Sequence, residues 1–240
     1  HDVTLISNGD FWKDYPRDID LSRRPGKWGG LAYLAKTMAT LHKLRGYDVV
    51  QLINPMFLEL KAERIAPIYK YLRKHNKKVF LGAFGMDYYW VHENITRMPL
   101  RYSDFNIGNR LRNDEPAMRE RRDWIGTAKE SLNKMIAEDC DGIIAGLYEY
   151  WACYGPLFPH KTTFIPFPIK PKTQPMAYQE GNAPHPLRLF IGISKGRSAY
   201  KGTDIMLEAA QAIKTKYPHL VELRIAEGVP FNQYTQMMNG

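Results

Sequence analysis

The sequence lacks long apolar runs and contains little cysteine. No stretch approaches the roughly 18 consecutive apolar residues that a membrane-spanning helix needs. Only two cysteines, Cys140 and Cys153, occur in 240 residues, which excludes a disulfide framework, and their spacing does not match a zinc motif. The 18 glycines and 16 prolines are close to average usage, which excludes collagen-like and low-complexity chains. We therefore expect a packed globular protein of the cytoplasm with two reduced thiols.

Positive charge is in excess and is unevenly distributed. The chain has 34 lysines and arginines against 25 aspartates and glutamates, a formal net charge of +9. A basic surface attracts phosphate groups, nucleic acid or an anionic membrane. Nucleic acid is not expected as a partner, because no motif of a sequence-specific nucleic-acid-binding module occurs. Positive charge is densest in seven arginines: Arg97, Arg101, Arg110, Arg112, Arg119, Arg121 and Arg122. Acidic residues are interleaved with them, so these arginines are also explained as the solvated face of a helix.

Apolar runs of strand length alternate with longer segments of helical spacing. The runs are mostly continuous, as in parallel strands that are covered on both faces. Strands alternating with helices predict an α/β fold. The predicted strands are residues 48–54, 79–84, 142–146, 163–166, 187–193 and 221–226.

Helices are predicted between these strands. Residues 62–75 and 115–138 each have helical spacing, and a further helix begins with Thr203 as its N-cap and ends before Pro218. An earlier helix has its apolar residues on one stripe: Leu31, Leu34, Ala35, Met38, Leu41 and Leu44.

A proline-rich segment divides the chain. Six prolines lie between residues 166 and 186, and no helix can run through them. We expect an N-terminal Rossmann-like domain over 1–168, a linker over 169–186 and the start of a second domain over 187–240. Because the second segment has too few strands to bury a full core, and the first begins directly on a strand, we expect the natural chain to extend past both ends.

A basic, glycine-containing loop follows the predicted strand 187–193. It contains Lys195, Arg197 and Lys201, and Lys201-Gly202 directly precedes the predicted helix. Free N–H groups at a helix start carry partial positive charge, and ammonium and guanidinium groups bind phosphate oxygens. Open α/β sheets bind ligands at the carboxyl ends of their strands. The loop predicts a diphosphate site, with a solvated basic loop as the alternative; its residue order is not that of a Walker loop.

The same segment resembles a known family. Residues 192–197, Gly-Ile-Ser-Lys-Gly-Arg, and 201–203, Lys-Gly-Thr, resemble the opening of the second domain of GT-B glycosyltransferases of family 4. Residues 48–55, 140–145 and 163–168 resemble strands in the first domain of that family. The resemblance implies a GT-B-like fold of two facing Rossmann-like domains with parallel sheets, the second incomplete here. It also implies a nucleotide-sugar as co-substrate, a saccharide or lipid-linked acceptor, retention of configuration, and neither cofactor nor metal.

The resemblance assigns the donor diphosphate to the basic loop. Arg197 and Lys201, with Gly202 beside them, would neutralise the leaving diphosphate. Family members usually space the two cations by five or six positions, whereas Arg197 and Lys201 are four apart. Lys195, six positions before Lys201, is the alternative for the arginine's place.

A second group of candidate residues follows the predicted strand 79–84. Many family members have a histidine there; this chain does not, and Asp87 is our candidate for orienting the acceptor or the donor sugar. Its alternative is a helix cap or turn residue. Tyr88 and Trp90 are candidates for stacking on a sugar, with a place in the core as their alternative.

The leading hypothesis is a bacterial-type glycosyltransferase for a surface polysaccharide or glycolipid, placed in the cytoplasm and peripherally at the inner face of an anionic membrane. Two other hypotheses stay open: a GT-B nucleotide-sugar epimerase, and a non-catalytic carbohydrate- or phosphate-binding module. Residues 1–7 are either the family's first strand, with Gly29-Gly30 as its glycine loop, or its second. The match of residues 48–55 to the third strand favours the second assignment.

Overall fold

The structure is a computed structural model that describes residues 2–9, 16–169, 186–193 and 201–239. The chain divides into two compact units, His1–Ile169 and Lys170–Gly240. It is a mixed α/β protein whose largest sheet is parallel throughout, as the sequence predicts. Most of the predicted linker, positions 170–185, lies outside the described residues.

The first unit contains these elements in chain order: β1 Ile6–Ser7, β2 Ile19–Asp20, α1 Gly26–Thr40, a 3-10 turn Leu41–Lys43, β3 Val49–Leu52, α2 Ala62–His75, β4 Lys78–Ala83, α3 Tyr88–Ile95, β5 Asn106–Ile107, β6 Arg110–Leu111, α4 Glu115–Trp124, α5 Ala128–Asp139, β7 Gly142–Ala145, α6 Tyr148–Tyr154 and β8 Thr162–Phe164. The second unit contains β9 Leu187–Ile193, α7 Thr203–Lys216, β10 Val221–Glu227 and α8 Phe231–Asn239. All six predicted strands are confirmed, with ends within a few residues of the prediction.

A four-stranded parallel sheet lies at the centre of the first unit. Its strand order is β3-β4-β7-β8, and the register places Leu81 between Leu52 and Ile143. Val79, Leu81 and Ala83 of β4 are fully buried, which explains the continuous apolar run in the sequence. Because the strands are parallel, the segments that follow them meet at one edge of the sheet.

Helix α1 differs from the single apolar stripe that the sequence predicts. It buries Tyr33, Thr37 and Thr40, whereas Leu31 and Met38 are exposed. With 3.6 residues per turn, positions 31 and 38 lie on one side of the helix, about 100–160° around its axis from positions 33 and 37. The apolar residues of this helix therefore occupy two faces, only one of which packs on the protein.

The predicted helix over 115–138 is wrong in one respect, because it consists of two helices. Helix α4 ends at Trp124, and Gly126 has a φ of +72°, a left-handed conformation that glycine adopts readily. The Thr127 hydroxyl then accepts a hydrogen bond from the Lys129 N–H and caps α5.

The second unit is a parallel strand pair with a crossover helix. Strands β9 and β10 pair from Leu187 with Val221 to Ile193 with Glu227, and α7 connects them. Helix α7 buries only Thr203 and Ala210 within this unit. Across the described parts of both units, no helix combines the length and the apolar character that crossing a membrane requires.

Candidate functional site

Asp87 lies in the loop after β4, at the carboxyl edge of the first unit's sheet. Its side chain is fully buried. One carboxylate oxygen accepts a hydrogen bond of 2.8 Å from the Trp90 N–H, so Asp87 is the N-cap of α3. The other accepts a hydrogen bond of 2.8 Å from the Tyr154 hydroxyl. The helix-cap alternative that the sequence left open is therefore what the structure shows for this residue.

A buried polar network surrounds Asp87 and joins three helices. The Tyr154 hydroxyl accepts a hydrogen bond of 3.1 Å from Asn133 Nδ2, and Asn133 Oδ1 accepts one of 2.9 Å from the Tyr88 N–H. Tyr154 and Asn133 are both fully buried. Since Asp87 begins α3, Asn133 lies in α5 and Tyr154 ends α6, the network fixes these helices at the edge of the sheet.

Burial dominates the acid–base behaviour of this network. It raises the pKa of Asp87 to about 7, against the opposing hydrogen bonds from Trp90 and Tyr154. Burial also raises the pKa of Tyr154 and of the neighbouring Cys153 thiol. A carboxyl group with a pKa near 7 is suited to proton transfer, but this one has no exposed surface. Its direct contact with a sugar stays a prediction.

Tyr88 and Trp90 lie in the core rather than at the surface. They are 5% and 6% exposed. The Tyr88 ring stacks on His92 with ring centroids 5.1 Å apart, and Trp90 Nε1 donates a hydrogen bond of 3.1 Å to Asp104. Neither ring offers a free face for stacking in this structure, and their contact with a sugar also stays a prediction.

Two other aromatic residues are exposed at the same edge of the sheet. Tyr148 and Trp151 follow β7 and are 60% and 36% exposed. Their ring centroids lie 5.7 Å apart with an interplanar angle of 33°. The Trp151 ring lies against Gly155, where a Cβ atom would be about 3.0 Å from the ring. This pair is not among the candidate residues from the sequence, although two aromatic residues three positions apart directly after a buried strand are a usable signal.

In the second unit, Lys201 and Gly202 directly precede α7. Gly202 has a φ of +62° and is the N-cap, so the prediction that Thr203 is the cap is wrong by one residue. Because glycine has no side chain, the first N–H groups of α7 have no side-chain cap. Lys201 is exposed. Lys195 and Arg197 lie outside the described residues.

Much of the arginine cluster stabilises the first unit. Arg97 pairs with the buried Glu93 at 2.7 Å and donates to the Ala152 carbonyl. Arg121 donates to the Arg112 carbonyl at 2.8 Å. These contacts favour a structural role over a phosphate-binding face for these two arginines.

Comparison of the chain with protein-family models, with curated proteins and with solved structures finds no match. Within the described ranges, no group of three or more histidines, cysteines and carboxylates is arranged to hold a metal ion. We therefore infer the function from the geometry of the chain's own residues.

Proposed function

We propose that the protein is a glycosyltransferase that moves a sugar from a nucleotide-sugar to a saccharide or lipid-linked acceptor at an anionic membrane. The observation that carries the proposal is the arrangement of β9, Lys201-Gly202 and α7 in the second unit. Strand β9 ends at Ile193, and an exposed lysine and a left-handed glycine lead into a 14-residue helix without a side-chain cap. This arrangement supplies N–H donors and a cation at the carboxyl end of a parallel strand, which suits a diphosphate.

The proposed chemistry depends on charge at the leaving group. When the bond between the sugar's anomeric carbon and the diphosphate oxygen breaks, negative charge builds up on that oxygen. Lys201 and the N–H groups of α7 then bind the diphosphate more strongly than in the ground state, which lowers the barrier. On sequence grounds, Lys195 and Arg197 belong to the same site.

The first unit is proposed to bind the acceptor at the carboxyl edge of its sheet. The exposed rings of Tyr148 and Trp151 offer apolar faces of the kind that pack against the C–H groups of a sugar. The buried network of Asp87, Tyr154 and Asn133 holds the start of α3 and the end of α6. In this proposal Asp87 is a positioning residue.

Calorimetry with a set of nucleoside diphosphates tests the donor site. Lys201→Ala is expected to weaken binding by about tenfold, because a hydrogen bond to a charged group is worth about 1.5 kcal/mol or more. Lys216→Ala is the matched control, since Lys216 is an exposed lysine at the opposite end of the same helix. Its affinity should equal that of the unchanged protein.

Three outcomes would contradict this function in different ways. Equal weakening by Lys201→Ala and Lys216→Ala would mean that only general positive charge attracts the nucleotide. If the protein binds the diphosphate but neither transfers the sugar to any acceptor nor hydrolyses the donor, the binding-module hypothesis would be favoured. Conversion of the donor into a nucleotide-sugar of altered configuration would favour the epimerase.

A further inference from the structure

Helix α1 carries an apolar stripe on its solvent-exposed side. Trp28, Leu31 and Met38 are 84%, 57% and 54% exposed. At 3.6 residues per turn, these three positions and three exposed alanines fall on one face of the helix. We call this face the α1 stripe; it consists of Trp28, Leu31, Ala32, Ala35, Met38 and Ala39.

Specific contacts fix the opposite face of α1 to the first unit. The Tyr33 hydroxyl donates a hydrogen bond of 2.6 Å to Asn8 and accepts one of 3.0 Å from the Glu59 N–H. Thr37 is buried beside Tyr33 and donates to its carbonyl at 2.8 Å. Turning the α1 stripe inward would break these hydrogen bonds and bury apolar residues in their place. The helix is therefore held with its apolar stripe outward.

Positive charge surrounds the α1 stripe. Residues 21–47 contain six lysines and arginines and no aspartate or glutamate. By helical geometry, Lys27 lies on one flank of the stripe and Lys36 lies on the other. Lys43 follows in the 3-10 turn at the carboxyl end of α1. In the described part of the chain, neither Lys27 nor Lys43 pairs with a carboxylate. The surface is thus apolar in the middle and cationic at both sides.

We propose that the α1 stripe binds to an anionic lipid surface. An interfacial helix buries its apolar face at the boundary of the acyl chains, and flanking lysines extend to the lipid phosphates. Tryptophan is enriched at this boundary. A second copy of this chain is a less favourable partner for the α1 stripe, because two such surfaces would bring like charges together. The inference rests on the membrane contact in the proposed function and identifies the α1 stripe as the surface that makes this contact.

Co-sedimentation of the full chain with vesicles, in the absence of nucleotide, tests the inference. The protein is expected to bind vesicles that contain phosphatidylglycerol. It should not bind vesicles that consist only of phosphatidylcholine. Trp28→Ser combined with Leu31→Ser should weaken binding by about tenfold, because the stripe loses its largest apolar groups. Lys27→Glu combined with Lys43→Glu should weaken it by about thirtyfold or more, since each of the two cations contributes about 1 kcal/mol near an anionic surface.

Matched variants separate the α1 stripe from general positive charge. Arg110→Glu combined with Arg119→Glu makes the same change in net charge at exposed positions outside α1, and should retain most of the binding. All of these residues are exposed, so the thermal unfolding temperature should not change. Equal loss of binding in this control and in Lys27→Glu/Lys43→Glu would overturn the assignment to α1.

A fluorescent label gives an independent measurement. Cys140 and Cys153 are buried, and burial raises the pKa of both thiols, so an environment-sensitive dye should react selectively with a newly introduced cysteine. A dye on Met38→Cys should shift to shorter wavelength when anionic vesicles are added. A dye on Asn113→Cys, an exposed position before α4, should not.

The result that would overturn the inference is vesicle binding that the α1 variants leave unchanged. Loss in those variants of a dimer detected by light scattering would also overturn it and would identify a second copy as the occupant. Diphosphate affinity in the α1 variants, measured by calorimetry, should equal that of the unchanged protein. Failure of the lipid surface and failure of the donor site are therefore separate results.

Discussion

The first unit is expected to lose stability as the pH rises from about 4 to about 7, and Asp87→Asn should remove most of this loss. Burial raises the pKa of Asp87 from 3.8 to about 7 in the folded protein. Between these values the folded state binds a proton that the unfolded state has released. Ionising the buried carboxyl therefore costs free energy, on the order of 4 kcal/mol for a pKa that rises from 3.8 to about 7. Asparagine keeps an oxygen that can cap α3 and carries no charge.

Urea unfolding followed by tryptophan fluorescence measures this effect in the first unit alone. All five tryptophans lie in that unit: Trp12, Trp28, Trp90, Trp124 and Trp151. Asp114→Asn is the matched control, because Asp114 caps α4 through a hydrogen bond from the Ala117 N–H. Although desolvation opposes it, the pKa of Asp114 is lowered by hydrogen bonds from Arg112 and Ala117. Stability from Asp114 is thus present above the unfolded pKa and lost as the pH falls, opposite in sign to the effect of Asp87.

Parallel stability curves for the unchanged protein and Asp87→Asn between pH 4 and pH 7 would contradict the burial of an ionisable carboxyl at this position. They would mean that water reaches Asp87 in solution. That result would also return Asp87 to the set of residues that can contact a substrate.

Gly82→Ala is expected to destabilise the first unit by about 3 kcal/mol, at the upper end of the usual cost of overpacking a core. Gly82 lies in the buried strand β4. A Cβ atom there would be 2.6 Å from the Leu52 carbonyl oxygen and 2.6 Å from the Phe84 ring. The oxygen belongs to the neighbouring strand β3, so relief requires the two paired strands to separate.

Gly85→Ala is the matched control for Gly82→Ala. It lies three residues further along, has no positive φ, and nothing lies within 4 Å of a Cβ atom at this position. Its unfolding midpoint in urea should stay close to that of the unchanged protein. Similar midpoints for the two alanine variants would mean that β3 and β4 do not approach each other as closely as the structure shows.

The four-stranded sheet and the β9–β10 pair could be predicted from the sequence because each of their strands is a short apolar run that ends in a turn. The strands β2, β5 and β6 could not, because two residues are too few to show a periodicity. The faces of α1 could not, because apolar residues occur around most of the helix. Buried polar contacts made by Tyr33 and Thr37 decide which face packs inward. The break between α4 and α5 depends on a single left-handed glycine, Gly126, within a pattern that otherwise reads as continuous helix.

The sequence predicts one member of the buried network and not the others. Asp87 is a candidate, with a helix cap as its alternative, because it follows a predicted strand; its partners Asn133 and Tyr154 are distant in the chain, and spacing alone cannot connect them. Tyr88 and Trp90 are aromatic residues that follow a predicted strand, and so are Tyr148 and Trp151. Exposure distinguishes the two pairs, and it depends on how α3 and α6 pack.

The sparse packing of α7 has a consequence for backbone motion. This helix leaves Ile205, Met206 and Ile213 exposed and buries little more than Ala210 against its strands. Amide protons of β9 and β10 should therefore exchange with deuterium much sooner than those of β4, because opening the second unit exposes less apolar surface. Mass spectrometry of peptides from both units would measure this difference. Equally slow exchange in the two units would mean that further contacts protect β9 and β10 in solution.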